Sequence, residues 1–212
     1  MRDTRAEIIR QSVDLFNARG FFKVTIKEIA DAMDISPGNL TYHFKKKENL
    51  LEAIQEQLLQ ATEGIMVPTD QEITLAHFQE MFEKFFVVQQ TYRFYFTEMT
   101  YLLVEYPEIT SAYRERTSTR FVDARKLVDY YIMTGRLKPE EEIGDYNDMV
   151  HSLWMVNTFW TLGTVLAGDF GGGRYDTPIR SLWKMLLPYL TEKGVAEYEA
   201  LLPKTDPITL NQ

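Results

Sequence analysis

The 212-residue sequence predicts an all-α fold, with an N-terminal helix-turn-helix domain of three helices followed by a larger helical domain. Apolar residues recur at intervals of three and four residues, which is the spacing of amphipathic helices. Capping residues, glycines and prolines separate these segments where helices should start and stop. No segment of strand length alternates between apolar and polar residues with turn chemistry at its ends. These three observations together favour helices throughout.

Three short helices are predicted within the first 45 residues. Thr4-Arg5-Ala6-Glu7 is a capping box that starts the first helix, and Gly20 is placed to end it. A second capping box, Thr25-Ile26-Lys27-Glu28, starts the second helix. Ser36 can cap a third helix with Pro37 at its first position, where the missing amide costs nothing. Two short helices three or four residues apart form a helix-turn-helix.

The remaining helices are longer. A fourth is predicted at residues 47–64, and it links a domain of residues 1–50 to a domain of residues 51–212. Further helices are predicted at residues 71–90, 92–105, 109–134, 145–167 and 177–194, with a short helix continuing through residue 202. The stop signals are Pro107, Gly135, Gly168 and Gly194, and Thr177-Pro178 marks the start of the last main helix.

Charge and composition limit the function classes. Residues 1–50 carry nine Lys or Arg and seven Asp or Glu, whereas residues 51–212 carry fourteen and twenty-four. A mildly basic end on an acidic body is expected of a chain whose end binds a polyanion, although a random fluctuation gives the same counts. The chain has no Cys, which excludes disulfides and thiolate metal sites. Without a signal peptide or an apolar run of membrane length, we expect a soluble cytoplasmic protein with no membrane partner.

The third helix has the chemistry needed to read DNA. In a helix-turn-helix the second helix lies in the major groove, with residues near its N-terminus on base edges. Here that helix starts at Pro37, and its small first residues, Gly38 and Asn39, allow a close approach. Asn39 can pair with a base edge, and Thr41 offers a hydroxyl and a methyl. Leu40 is apolar and is predicted to pack inward, as is Phe44 one turn later.

The residues that follow suit the DNA backbone. Tyr42 and His43 can donate hydrogen bonds to phosphate oxygens, and Thr25 caps the helix that crosses the backbone. Lys46 and Lys47 follow where the chain leaves the groove, beside a helix start whose free amides favour an anion. For the lysines alone, a surface hairpin with a solvated charge run is the alternative.

Residues 4–51 resemble the DNA-binding domain of the tetracycline-repressor (TetR) family of bacterial regulators. The matching residues are Thr25-Ile26-Lys27-Glu28-Ile29-Ala30 and Ile35-Ser36-x-Gly38-Asn39-Leu40-x-Tyr42-His43-Phe44-Lys45-x-Lys47-Glu48-Asn49-Leu50. The resemblance implies phosphate contacts from Thr25, Tyr42, His43 and Lys47, and groove contacts around Pro37–Thr41. Two positions depart from the family pattern. Thr41 stands where the family often has Tyr, and Asp34 stands in the turn where it often has Gly.

The resemblance also implies what the rest of the chain does. It implies a homodimer formed through the last two long helices, which binds double-stranded operator DNA and is released by an unidentified small-molecule effector. Aromatic side chains are dense at residues 92–101 and 154–160, as in many ligand pockets, although such stripes are more often core. The candidate ligand-binding residues on these helices are Tyr92, Phe96, Met99, Trp154, Asn157 and Thr161.

The sequence contains no set of residues that predicts catalysis. We find no nucleophile–base arrangement, and the three His are not at metal-ligand spacing, so we expect no catalytic residues, metal or cofactor. The expected function is therefore a DNA-binding transcriptional regulator, most simply a repressor. The alternative is a small-molecule binding or carrier protein with a vestigial helix-turn-helix.

Overall fold

A computed structural model describes residues 4–63, 65, 72–167 and 178–202, and helices are the only regular elements in these residues, as predicted. The bounds are α1 Thr4–Arg19, α2 Ile26–Ala32, α3 Pro37–His43, α4 Lys47–Ala61, α5 Leu75–Thr91, α6 Arg93–Thr97, α7 Met99–Glu105, α8 Pro107–Met133, α9 Asp145–Ala167, α10 Ile179–Leu186 and α11 Glu192–Leu201. A 3-10 turn, Leu187–Tyr189, follows α10. The predicted signals at Gly168 and Thr177 lie outside the described residues.

The first three helices form the predicted helix-turn-helix, and their caps are those read from the sequence. Thr25 and Glu28 make the capping box of α2, and the Ser36 hydroxyl accepts the Asn39 amide to start α3. Gly20 ends α1 with a φ of 85°, a conformation that glycine adopts without a Cβ penalty. Asp34, in the turn between α2 and α3, has a φ of 54°, so the predicted left-handed turn is confirmed without glycine.

The helix-turn-helix shares its core with the helices that follow. Leu40 and Phe44 of the α3 region are buried, as predicted. They belong to one apolar cluster that also contains Phe94 of α6, Leu102 of α7 and Ile109 of α8. The predicted boundary after residue 50 therefore lies inside α4, a continuous helix whose buried side chains join this cluster. The two parts share this cluster, so packing does not separate them. The division into residues 1–50 and 51–212 stays a prediction.

A second apolar cluster is built from α5, α8, α9 and α10. Its buried members include Phe78 and Phe82 of α5, Tyr131 of α8 and Trp183 of α10. Helix α11 is joined to this part of the protein through Arg136, whose Nε donates to the Glu197 carboxylate of α11 at 2.9 Å. These contacts fix the body that carries the cavity described below.

Two predicted helices differ in the structure. The predicted helix 92–105 is two short helices, α6 and α7, because the chain breaks at Glu98, whose carboxylate accepts the Phe21 amide at 2.8 Å. The predicted helix 177–194 ends at residue 186, since Pro188 cannot continue it. Gly194 was predicted to end that helix, which was wrong: it is buried within α11.

Candidate nucleic-acid interface and ligand cavity

The N-terminal half of α3 is open to solvent. Pro37, Gly38 and Asn39 are exposed, and Tyr42, one turn later, is 84% exposed. The Thr41 hydroxyl donates to the Gly38 carbonyl oxygen at 3.1 Å, so its methyl and lone pairs are what it can offer a base. The buried Leu40 on the opposite face fixes the rotation of the helix. These side chains therefore form a surface that can enter a groove.

The flank of this surface is held by the α2 cap. The Thr25 hydroxyl accepts the Glu28 amide at 3.2 Å and donates to the Glu28 carboxylate at 2.8 Å. The Arg19 guanidinium, which lies 2.6 Å from the same carboxylate, together with the Thr25 donors lowers the pKa of Glu28 to about 2. Glu28 is thus ionised at neutral pH and keeps the α2 terminus ordered. The Thr25 hydroxyl serves this cap in the free protein, and its predicted phosphate contact stays a prediction.

The lysines after α3 have different environments. Lys45 and Lys46 are exposed. Lys47 is half-buried, and its ammonium donates to the carbonyl oxygens of Phe21 and Val24 at 3.0 Å each. It also lies 4.3 Å from the centre of the Phe21 ring. Lys47 therefore ties the start of α4 to the turn after α1, with one ammonium hydrogen left over for a phosphate.

A cavity of about 120 Å³ lies in the body of the protein, lined mainly by apolar residues of α4, α5, α6, α8 and α9. Three of the six predicted ligand-binding residues line it: Phe96, Trp154 and Asn157. The Asn157 side chain is 8% exposed, and its Oδ1 has no hydrogen-bond partner among the described residues. A buried acceptor without a partner costs roughly 1–3 kcal/mol, which a bound molecule could recover.

The other three predicted residues do not line the cavity. Tyr92 and Met99 pack against the helix-turn-helix core. They were predicted from one continuous helical face, and the break at Glu98 removes that face. Thr161 is buried, with its hydroxyl donating to the Gln89 side chain at 3.0 Å, so it ties α9 to α5. Their ligand-binding role has no support from the cavity geometry.

Sequence reasoning missed the polar groups that α8 and α6 bring to the cavity, namely Tyr95, Tyr113 and Arg120. Burial raises the pKa of both tyrosines, so both are neutral phenols. Arg120 is half-buried, and burial lowers its pKa. A signal was present in the sequence, because Tyr113, Arg120, Leu127 and Tyr131 follow helical spacing. A single cation in an otherwise apolar stripe is unusual for a core face.

The cavity is connected to the helix-turn-helix by hydrogen bonds. Gln55 of α4 donates to the Tyr95 hydroxyl at 3.0 Å and to the Ile109 carbonyl oxygen at 2.8 Å. The Asn17 side chain of α1 accepts the Phe94 amide at 2.9 Å. It also donates to the Thr91 carbonyl oxygen at 2.8 Å. Helix α6 therefore presents Tyr95 to the cavity while it is bonded to α1, the first helix of the chain's N-terminal part.

Within the described residues, none of the helices has the length and apolar character of a membrane span. In the same residues no three His, Cys, Asp or Glu side chains are grouped as they would be to hold a metal ion.

The exposed α3 beside a capped α2, on a helical body with its own cavity, defines a helix-turn-helix protein with a second, ligand-sized site. The chain belongs to the TetR family. A family profile described as "Bacterial regulatory proteins, tetR family" matches residues 8–54, and one described as "Bacterial transcriptional repressor" matches residues 48–198. The resemblance noted at residues 4–51 is thereby confirmed, and the family match extends to residue 198.

Individual relatives agree. A TetR-family transcriptional regulator from Marinobacter aquaeolei VT8 has a similar structure, with a TM-score of 0.84 and 27% identity over 95% of this chain and 97% of that chain. The regulator UidR of Escherichia coli K12 is 38% identical over 80 residues, which are 38% of this chain and 35% of UidR. TcmR of Streptomyces glaucescens is 36% identical over 67 residues, 30% of each chain. The chain spans about a third of the length of these sequence relatives.

Proposed function

We propose that the protein is a DNA-binding transcriptional regulator, a repressor that a small molecule releases from operator DNA. The observation that carries the proposal is the exposed N-terminal half of α3, with Asn39 and Tyr42 on its open face. The exposed Lys45 and Lys46 lie directly after it. A helix placed in this way can present Asn39 to base edges while the lysines face phosphates.

Gel-shift titration against DNA fragments flanking the protein's own gene tests DNA binding. We expect sequence-selective retardation at moderate salt. Asn39→Ala and Thr41→Ala should relax the preference at particular base positions, each by roughly 1–3 kcal/mol of discrimination. If neither variant changes the preferred operator, base readout lies elsewhere. No selective retardation at any fragment would favour the carrier protein with a vestigial helix-turn-helix.

The salt dependence of binding separates phosphate contacts from general charge. Lys46→Ala should lower the slope of log affinity against log salt by roughly one unit, because one released counterion is lost. Lys184 is also exposed, and it lies on α10, a helix of the second apolar cluster. Lys184→Ala removes the same charge and should leave the slope unchanged. Equal slopes for the two variants would contradict a phosphate contact at Lys46.

A homodimer fits the surface of α9. Met155 and Leu166 are exposed, with Leu166 at 75%, and Phe159 and Leu162 lie between them at helical spacing. One short recognition helix reads few bases, so two of them related by a two-fold axis are needed for a long operator. By contrast, the other predicted interface helix, residues 177–194, has its apolar side chains Leu182, Trp183, Leu186 and Leu190 buried in the second apolar cluster of one protomer.

Sedimentation of Leu166→Glu tests this assignment. We expect the wild type to sediment as a dimer and the variant as a monomer, because a buried unpaired carboxylate destabilises an interface. Val104 of α7 is 79% exposed, and Val104→Glu is the matched control that should remain dimeric. A monomeric wild type, or a dimeric Leu166→Glu, would count against α9 as the interface.

A further inference from the structure

The cavity contains a cation without a countercharge. Arg120 lines the cavity, and among the described residues no carboxylate lies within ion-pair distance of it. Its Nη2 donates to the Thr62 hydroxyl, and its guanidinium carbon lies 5.4 Å from the centre of the Phe85 ring. A guanidinium has five N–H donors, so this single hydrogen bond leaves most of them unused.

The neighbouring arginine on α8, unlike Arg120, has an ion-pair partner. Arg116 lies one turn earlier on α8, and its Nη2 is 2.6 Å from the Glu63 carboxylate. Glu63 thus balances the charge of Arg116. Without such a partner, the positive charge of Arg116 would repel that of Arg120, which lowers the pKa of Arg120 after burial does. Taking a charge out of water costs several kcal/mol unless a partner compensates for it. Arg120 therefore has a cost in the free protein that an anionic ligand would remove.

Two tyrosines at the cavity wall can donate hydrogen bonds beside Arg120, whereas the Asn157 Oδ1 is an acceptor. The Tyr95 hydroxyl accepts from Gln55, which leaves its own hydrogen available, and the Tyr113 hydroxyl lines the same cavity. Both tyrosines line the same cavity as Arg120. Two phenol hydroxyls and a guanidinium are a suitable set of donors for the two oxygens of a carboxylate.

The size and lining of the cavity limit the rest of the ligand. Its walls carry Phe78, Phe82, Phe85 and Trp154, so the body of the ligand should be apolar. The volume of about 120 Å³ is close to the roughly 150 Å³ of a cavity that holds benzene. A body of about one ring, or a short aliphatic chain, fits this space.

We propose that the cavity binds a compact organic carboxylate, with Arg120 as the residue that holds the carboxylate group. In its effector role the ligand rests on the proposed function, whereas the binding site itself does not. The Arg120 guanidinium at the cavity wall favours an anion over a neutral or cationic compound of the same shape.

Isothermal titration calorimetry on the full chain without DNA tests the assignment. The probes are benzoate, phenylacetate and hexanoate, each compared with its amide, and benzylammonium is the cationic probe. We expect at least one acid to bind roughly 10- to 100-fold more tightly than its amide, as charge-assisted hydrogen bonds predict. If no acid binds more tightly than its amide, or if benzylammonium binds best, the proposal is overturned.

Two variants locate the charge that is responsible. Arg120→Gln should weaken binding of the acid by the same roughly 10- to 100-fold and leave binding of the amide unchanged. Arg116→Gln removes an equal charge one turn away and should change the Kd for the acid less than about twofold, because its charge is already paired. Equal losses in both variants would assign the effect to general surface charge and overturn the role of Arg120.

The free protein provides an independent readout. Because Arg120 has no countercharge, Arg120→Gln should unfold at an equal or higher urea concentration than the wild type. A lower midpoint, with no preference of the wild type for acids, would assign Arg120 to structure instead. Gel shifts then separate the two proposals: acids that bind by calorimetry without changing operator affinity overturn the effector mechanism and leave the carboxylate site standing.

Discussion

Lys47 is the residue for which sequence and structure give different expectations, and one pair of variants decides between them. The resemblance assigns its charge to a phosphate, whereas the structure directs its ammonium to the carbonyl oxygens of Phe21 and Val24. Lys47→Met removes the charge and keeps most of the aliphatic stem. Lys46→Met makes the same change at the exposed neighbouring position.

The magnitude follows from the contacts. Hydrogen bonds from charged groups contribute about 1.5–3 kcal/mol each, and a cation–π contact at a partly exposed site adds about 0.5–1 kcal/mol. Lys47 is only half-buried, and water can replace part of what the two carbonyl groups lose. We therefore expect Lys47→Met to lower the free energy of unfolding by about 2 kcal/mol, and Lys46→Met by less than about 0.5 kcal/mol.

Urea denaturation followed by helical circular dichroism measures this difference, with all proteins at one concentration because association shifts apparent stability. If Lys47→Met unfolds within about 0.5 kcal/mol of Lys46→Met, the internal role of Lys47 is refuted. The salt slope of operator binding, measured on the same variants, tests whether the third ammonium hydrogen of Lys47 contacts a phosphate. A loss of roughly one unit in Lys47→Met would mean that the residue also holds a phosphate.

Three further predictions concern stability. Asp34→Gly should stabilise the protein by about 0.5 kcal/mol in urea denaturation, since glycine relieves the left-handed strain at φ 54° but has more freedom to lose on folding. Gly194→Ala should lower the free energy of unfolding by about 2 kcal/mol despite the helix propensity of alanine, because the added Cβ meets the Arg136 carbonyl oxygen; a neutral result would show that α11 can shift. Hydrogen bonds from Arg125 lower the pKa of Glu140 to about 2, so its stabilising effect is present above pH 4.5 and is lost as the pH falls towards 2. Between pH 4.5 and 2, the urea midpoint of Glu140→Gln should therefore fall less than that of the wild type.

Local chemistry made the helix-turn-helix predictable. Thr25, Ser36 and Gly20 act on residues within four positions of themselves, so their caps can be read without knowledge of the fold. Pro188 also carried a local signal for a break, which the helix predicted across it did not take into account. Glu98 carried none, because its contact with the Phe21 amide joins residues 77 positions apart. Breaks of this kind depend on tertiary packing.

The cavity was less predictable than the fold for a related reason. Helical periodicity shows which residues share a face, but it does not show what that face contacts. Tyr92 and Met99 have the same aromatic or apolar character as Phe96, yet only Phe96 reaches the cavity. Arg120 could have been selected by a different criterion, namely a charge that shares its helical spacing with Tyr113, Leu127 and Tyr131.

The shared core has a consequence for how a ligand could act on DNA. A ligand shifts a conformational equilibrium only through contacts that differ between the two states. Tyr95 is placed to provide such a contact, because it lines the cavity proposed to hold the carboxylate and its hydroxyl accepts from Gln55 of α4. Helix α4 begins at Lys47, directly after the exposed Lys45 and Lys46, and α6 is bonded to Asn17 of α1. A carboxylate that accepts a hydrogen bond from the Tyr95 hydroxyl would thus change the contacts of α4 and α6 together. A coupling free energy of about 1–3 kcal/mol between ligand and DNA binding then requires no contact between the ligand and α3.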